Sequence, residues 1–165
     1  MSDFDKYIRQ GEPGQVEKAR IWQTLDYDFA QEREFSYVGI SLLDTVKHIA
    51  AFISGIWQIH AFGEGNTRTT AVFAIKYLRS FGFKVDNDLF EKHSWYFRNA
   101  LVRANYSNLS KGIAATDQYL ILFFRNLILG ENNTLSSPKS QFDTLNCTFE
   151  DSLYVKTVNV TAGGK

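Results

Sequence analysis

Leu42, Val46, Ile49, Ile53, Ile56 and His60 stand three or four residues apart, and the same spacing resumes through Val72, Ile75, Leu78 and Phe81. Apolar residues at that period line one face of an α-helix. Two consecutive helices are therefore predicted, over 41–60 and about 67–81, each with a face that must be buried. Ser41 and Asp44 make a capping box of the less usual Asp type at the first start, and Gly82 supplies a C-terminal cap for the second helix. The segment between them, His60-Ala61-Phe62-Gly63-Glu64-Gly65-Asn66-Thr67-Arg68, is read as a loop joining two buried helices.

The remaining segments are read in the same way. Gly11, Pro13 and Gly14 mark a turn, and EKARIWQTL reads as a short helix with Ile21, Trp22 and Leu25 turned inward. Residues 34–39, Glu-Phe-Ser-Tyr-Val-Gly, alternate polar and apolar before a glycine, which predicts a small strand or hairpin. A third helix is expected over 88–105, carrying Phe90, Trp95, Phe97, Leu101 and Val102. A fourth, over 116–129, is almost wholly apolar and stops at Gly130, which predicts a central position. After Glu131 the composition turns to Asn, Ser, Thr and Gly, with a strand expected over 153–160. No internal repeat is present.

With 165 residues, 44% of them hydrophobic, the chain is long enough for one globular unit with a substantial core. Its 18 basic and 18 acidic side chains cancel, so no bulk field draws in nucleic acid or an anionic membrane. Charge chemistry must be local. Lys47, His48, Lys76 and Arg79 interrupt the apolar stretches, and the N-terminal residues lack an apolar run behind basic ones, so neither a membrane span nor an export signal is expected. The single cysteine, Cys147, suits a reducing compartment, and the expected location is the cytoplasm.

The loop concentrates the chemistry. His60 ends the buried face of its helix, and an imidazole there is either a hydrogen-bonded structural group or a proton acceptor for a hydroxyl. Gly63 and Gly65 let backbone N–H groups converge beside a helix N-terminus, an arrangement that holds phosphates. Asn66 is either that helix's cap or part of the nest. Arg68 opposes the dipole of an isolated helix, and an anion at the helix end reverses that balance. Glu64 would repel a phosphate unless a divalent cation, Mg²⁺ by preference, lay between them. The plainer reading is a Glu64–Arg68 surface pair, which contributes little.

In sequence, the stretch from His60 to Ala71 resembles the signature of the Fic family (the Fic/Doc superfamily), His-Pro-Phe-x-(Asp/Glu)-Gly-Asn-Gly-Arg-x-x-Arg. His60, Phe62, Glu64, Gly65, Asn66 and Arg68 match it. The resemblance covers about residues 20–130 and implies an all-α, Fic-type helical bundle with a small β-hairpin flap. It places a Fic domain over 1–131 and leaves 132–165 as a C-terminal extension. It further implies Mg²⁺-dependent transfer of AMP from ATP to a Ser, Thr or Tyr hydroxyl of a target protein, in a bacterial cytoplasm. His60 would be the base and Glu64 the metal ligand, and Gly63, Gly65, Asn66, Thr67 and Arg68 would bind the phosphates. Phe62 would anchor the loop in the core. Asn105, in a segment similar to the family's adenine-side helix, would contact the base. Phe35, Ser36 and Tyr37 would align the target as an added strand.

Three positions depart from the signature: Ala61 for Pro, Thr67 for Gly, and Ala71 for the last Arg. Thr67 requires a negative φ there. The family's last Arg reaches the γ-phosphate, so Ala71 keeps open another nucleotide, another ATP orientation, a Doc-like kinase, or a catalytically weak nucleotide-binding module. The family's inhibitory pattern, Ser/Thr-x-x-x-Glu-(Gly/Asn), has no match: Glu64 and Glu131 are preceded at that offset by His60 and Leu127. Control by a separate antitoxin chain stays open.

Overall fold

A computed structural model describes residues 15–136, which divide at Asp88 into two compact units. The expected extension beyond residue 136, with its strand over 153–160, lies outside the described residues.

The first unit is built from three helices: α1 (Gln15–Glu34), α2 (Leu42–Gln58) and α3 (Asn66–Ser80), with α2 packed against both neighbours. The start of α2 is fixed by Ser41, whose Oγ accepts from the Asp44 amide at 3.1 Å and donates to the Asp44 carboxylate at 2.7 Å. The half of the predicted box that caps the helix amide forms, and Asp44 turns its carboxylate to the Ser41 hydroxyl. The end of α3 is a Schellman turn: Phe83 N–H donates to Leu78 O (3.2 Å) and Gly82 N–H to Arg79 O (3.0 Å), with Gly82 at φ 86. A side chain at that φ would be strained, which is why the glycine sits there.

The buried face of α2 is Val46, Ile49, Ala50, Ile53 and Trp57; that of α3 is Ala71, Ala74, Ile75 and Leu78. Leu42, Val72 and Phe81 are exposed, contrary to the face read from spacing. On α3 two alanines, Ala71 and Ala74, take their place inward. Between the helices runs an aromatic ladder. Phe29 of α1 meets Phe52 and Phe73 edge-on at 5.8 and 5.7 Å, and Phe73 stacks on Tyr77 at 5.6 Å.

Two expectations are corrected here. The segment before the loop is a 20-residue helix, and Trp22, expected inward, is exposed on it, whereas Ile21 and Leu25 are half-buried. No strand forms at 35–39, where α1 ends and the chain turns. The polar–apolar alternation there has another cause: Phe35 stacks on His48 with ring centres 3.4 Å apart, and Tyr37 meets the same imidazole edge-on at 5.5 Å. Both rings fold onto α2, and the solvent-facing Ser36 separates them.

The second unit holds α4 (Asp88–Lys92), α5 (Ser94–Asn105), a 3-10 turn (Leu109–Lys111) and α6 (Gln118–Leu129). The third predicted helix is thus interrupted at His93, whose φ of -122 breaks the regular winding. Phe90, Phe97, Leu101, Leu120, Phe123 and Phe124 form the core, and Trp95 is exposed instead of buried. Tyr96 donates its hydroxyl to Tyr119 O at 3.0 Å, and burial pushes that phenol up to about 12. The fold is all-α as expected. Among the described residues the only β-pairing is an isolated bridge, Asn108 to Ile113, and no helix is long and apolar enough to cross a membrane.

Candidate active site

The loop from His60 to Gly65 leaves α2 and enters α3 in six residues, and its shape is set from both ends. At the exit, His60 is the one non-glycine residue with positive φ (50) among those described. Its amide donates to Trp57 O (3.1 Å), its Nδ1 lies 3.3 Å from Gln58 O, and its ring meets the Trp57 indole at 4.7 Å. Left-handed backbone at a histidine is costly and is held only where surrounding contacts over-determine it. Nε2 is shielded from solvent.

At the entrance, Gly65 takes φ 75 and is the residue before the first helical amide of α3. Arg68 folds back over it: a Cβ at Gly65 would stand 3.6 Å from Arg68 Nη2. The guanidinium is exposed beside the helix start, where an anion would meet both its charge and the helix amides. Glu64 and Gly63 are exposed, and Glu64 forms no ion pair with Arg68, so the surface-pair reading fails.

Asn66 is neither cap nor open donor. It is 7% exposed, and its carboxamide clamps the loop: Oδ1 accepts from Phe62 N–H at 3.0 Å and Nδ2 donates to Phe62 O at 2.6 Å. Being the first helical residue, it cannot cap from the N-cap position, which Gly65 fills. The expected anchoring of the loop by the Phe62 ring is overturned, because that ring is 53% exposed. The backbone of Phe62 is what is anchored. Asn66→Ala is expected to cost about 1 kcal/mol by leaving the part-buried amide and carbonyl of Phe62 without their partner, read as a lower denaturation midpoint with faster amide exchange at 62–65.

Thr67 has negative φ, as its departure from glycine requires, and its Oγ1 accepts from Trp57 Nε1 at 3.1 Å. Trp57, 2% exposed, therefore ties the two ends of the loop together through His60 and Thr67. Sequence reasoning missed it. The signal was present in a tryptophan three residues before the loop, next to Ile56 of the predicted buried face. Ala71 lies on the buried face of α3 at 9% exposure.

Residues 2–78 match the model of the Fic/DOC family. Over that stretch the chain is similar to the Fic/DOC family. No curated protein and no solved structure matches it. The Fic/DOC match contains α1, α2, the loop and most of α3, so every motif residue named above falls inside it. Asn105 falls outside, at the end of α5 in the second unit, where its Nδ2 donates to Leu101 O at 2.9 Å. Phe35, Ser36 and Tyr37 fall inside, but in irregular backbone before a turn and not in a strand.

A second polar group in the Fic/DOC segment was also missed. Glu32, 9% exposed, accepts from the hydroxyls of Tyr37 and Tyr77 on Oε1 and lies 2.7 Å from His48 Nε2 through Oε2. Burial first, and then the bond to Glu32, push both phenols well above the ordinary tyrosine value. Glu32 stands three residues from both Phe29 and Phe35, so a carboxylate on an apolar face was its signal.

Proposed function

We propose that this Fic/DOC protein transfers AMP from ATP to a hydroxyl side chain of a target protein. Fic family membership points to a transferase of this type. The observation that supports the finer reading is the loop itself: a strained histidine at the end of one helix and an arginine folded over the glycine that opens the next.

In this reaction the target oxygen attacks the α-phosphorus, and the bond from that phosphorus to the bridging oxygen breaks. Pyrophosphate leaves, and His60 takes the hydroxyl proton. Arg68 and the first amides of α3 hold the phosphates, so that positioning and charge balance lower the barrier. Asn66 acts on this site through Phe62 and Trp57 through Thr67, both by fixing the loop. Because Nε2 is covered, a target hydroxyl reaches it only as the loop opens around bound substrate.

The family's Mg²⁺ fits the donors present. No group of three metal-ligating side chains occurs among the described residues, and Glu64 is a single exposed carboxylate. That donor set suits Mg²⁺, which keeps several waters and is completed by substrate phosphates. When bound through Glu64 the ion would neutralise phosphate charge. Glu64→Ala is expected to lose Mg²⁺ stimulation together with activity; a variant stimulated normally by Mg²⁺ would remove Glu64 from the ligand role. Pyrophosphate released in step with modified protein is the expected product, whereas ADP would contradict AMP transfer.

A second reading, nucleotide binding without transfer, is favoured by the covered Nε2 and by Ala71, which brings no cation to a γ-phosphate. It predicts binding with no modified protein.

A further inference from the structure

The exposed residues of α3 all lie on one third of its circumference. They are Arg68, Thr69, Val72, Lys76, Arg79 and Ser80, and at about 100° per residue they span about 120°. The helix carries three cations and no carboxylate. In a chain whose formal charges sum to zero, this face is a local positive stripe.

The stripe is not neutralised. No ion pair among the described residues engages Arg68, Lys76 or Arg79. Arg79 Nε donates to the Val85 carbonyl at 2.8 Å, which tethers that guanidinium at the end of the helix. The negative end of the helix dipole offsets about half a charge there, less than Lys76 and Arg79 supply. Lys84 and Asp86, exposed just beyond, cancel each other. Val72, 51% exposed between Arg68 and Lys76, adds an apolar contact.

Distance divides the stripe into two parts. Arg68 folds over Gly65 at the loop. Lys76 stands ten residues beyond Asn66, about 15 Å along the axis. That exceeds the Debye length of about 8 Å at physiological salt. A phosphate at the loop and a carboxylate at Lys76 therefore repel each other little, and both are held at once. The face also lacks an exposed aromatic ring, the stacking surface that single-stranded nucleic acid uses. An acidic protein segment fits it better.

We infer that the exposed face of α3 docks an acidic segment of the target protein, with Lys76 and Arg79 as its charge partners. An extended chain covers the span from the loop to Lys76 in about five residues, so carboxylates about that far from the modified hydroxyl are the expected recognition pattern. Naming the partner as the target rests on the transfer reading, whereas the docking itself needs no nucleotide.

An amide-resolved NMR titration of the full chain, without nucleotide, tests it. The probe is a peptide with a central serine and three glutamates beginning about five residues to either side, and its counterpart carries glutamines instead. Saturable shifts at 72–80 with the glutamate peptide, and none with the glutamine peptide, are expected. Lys76→Glu should weaken binding on the order of tenfold, and Lys76→Ala severalfold. Lys76 is exposed and makes no hydrogen bond or ion pair among the described residues, so both variants should fold. Raising the ionic strength should weaken binding further. Transfer is measured separately with labelled ATP: docking without AMP transfer would keep the acidic partner and remove its reading as a target. No saturable shift at 72–80, equal shifts with the glutamine peptide, unchanged affinity in Lys76→Glu, or tighter binding of a thymidine oligonucleotide on the same face would overturn the inference.

Discussion

His60→Ala is expected to lower AMP transfer by about 10²–10⁴-fold, the usual contribution of a positioned general base, while nucleotide binding is largely retained. In the proposed reaction the phosphates are held by Arg68 and the start of α3, on the far side of Gly65 from the imidazole. A sharper variant follows from the backbone. His60 holds φ 50, a conformation that costs a side-chain-bearing residue about 1–2 kcal/mol and glycine almost nothing. Gly at this position relieves that strain but forfeits the ring's contact with Trp57. His60→Gly should therefore be no less stable than His60→Ala, yet equally inactive. With a histidine kept only for stability, activity would survive in whichever variant folds best. Loss of nucleotide binding in His60→Ala, with transfer per bound nucleotide unchanged, would remove His60 from catalysis.

The largest effect on stability is expected at Glu32. Its carboxylate accepts from Tyr37 and Tyr77 and pairs with His48, so one side chain joins α1, the turn after it, α2 and α3. Removing one partner of a buried ionic group strands the others, at a cost of about 3–5 kcal/mol. Glu32→Ala strands two hydroxyls and an imidazole together, and is expected to reach that range in chemical denaturation. Glu32→Gln keeps an oxygen for the tyrosines but can turn an NH₂ toward His48, so it should lose less. Equal losses in both variants would show that packing, and not the hydrogen-bonded charge, is what Glu32 contributes.

How the sequence led to the fold differs between residues of one kind and residues of another. Local rules acted where they met no competitor. Ser41 capped α2, Gly82 closed α3, and Gly65 opened α3. Spacing also located α2 and α3, but not their rotation. Val72 and Phe81 share the helical period of Ile75 and Leu78, yet the buried face is the one that carries Ala71 and Ala74, which is set by tertiary packing and not by spacing. At 35–39 a period-2 pattern arose from two aromatic rings folding onto His48, a long-range contact that no window of sequence contains.

At the candidate site, the residue types were legible and their partners were not. His60, Glu64, Gly65, Asn66 and Arg68 were readable from their order. That Asn66 spends its carboxamide on Phe62, or that Thr67 replaces glycine in company with the Trp57 indole, depends on atoms brought together by the turn. Glu32 was hidden for a related reason. Its partners come from three segments, so the cluster exists only after folding.

The central claim is that the junction of α2 and α3 moves the AMP portion of a nucleotide onto a protein hydroxyl. Parallel incubations with Mg²⁺ and ATP labelled on either the α- or the γ-phosphate, followed by separation of the proteins, test it most directly. Protein-bound label from the α-position alone, absent with His60→Ala, is the predicted result. Protein-bound label from the γ-position, or none from either while the nucleotide is bound, would contradict it.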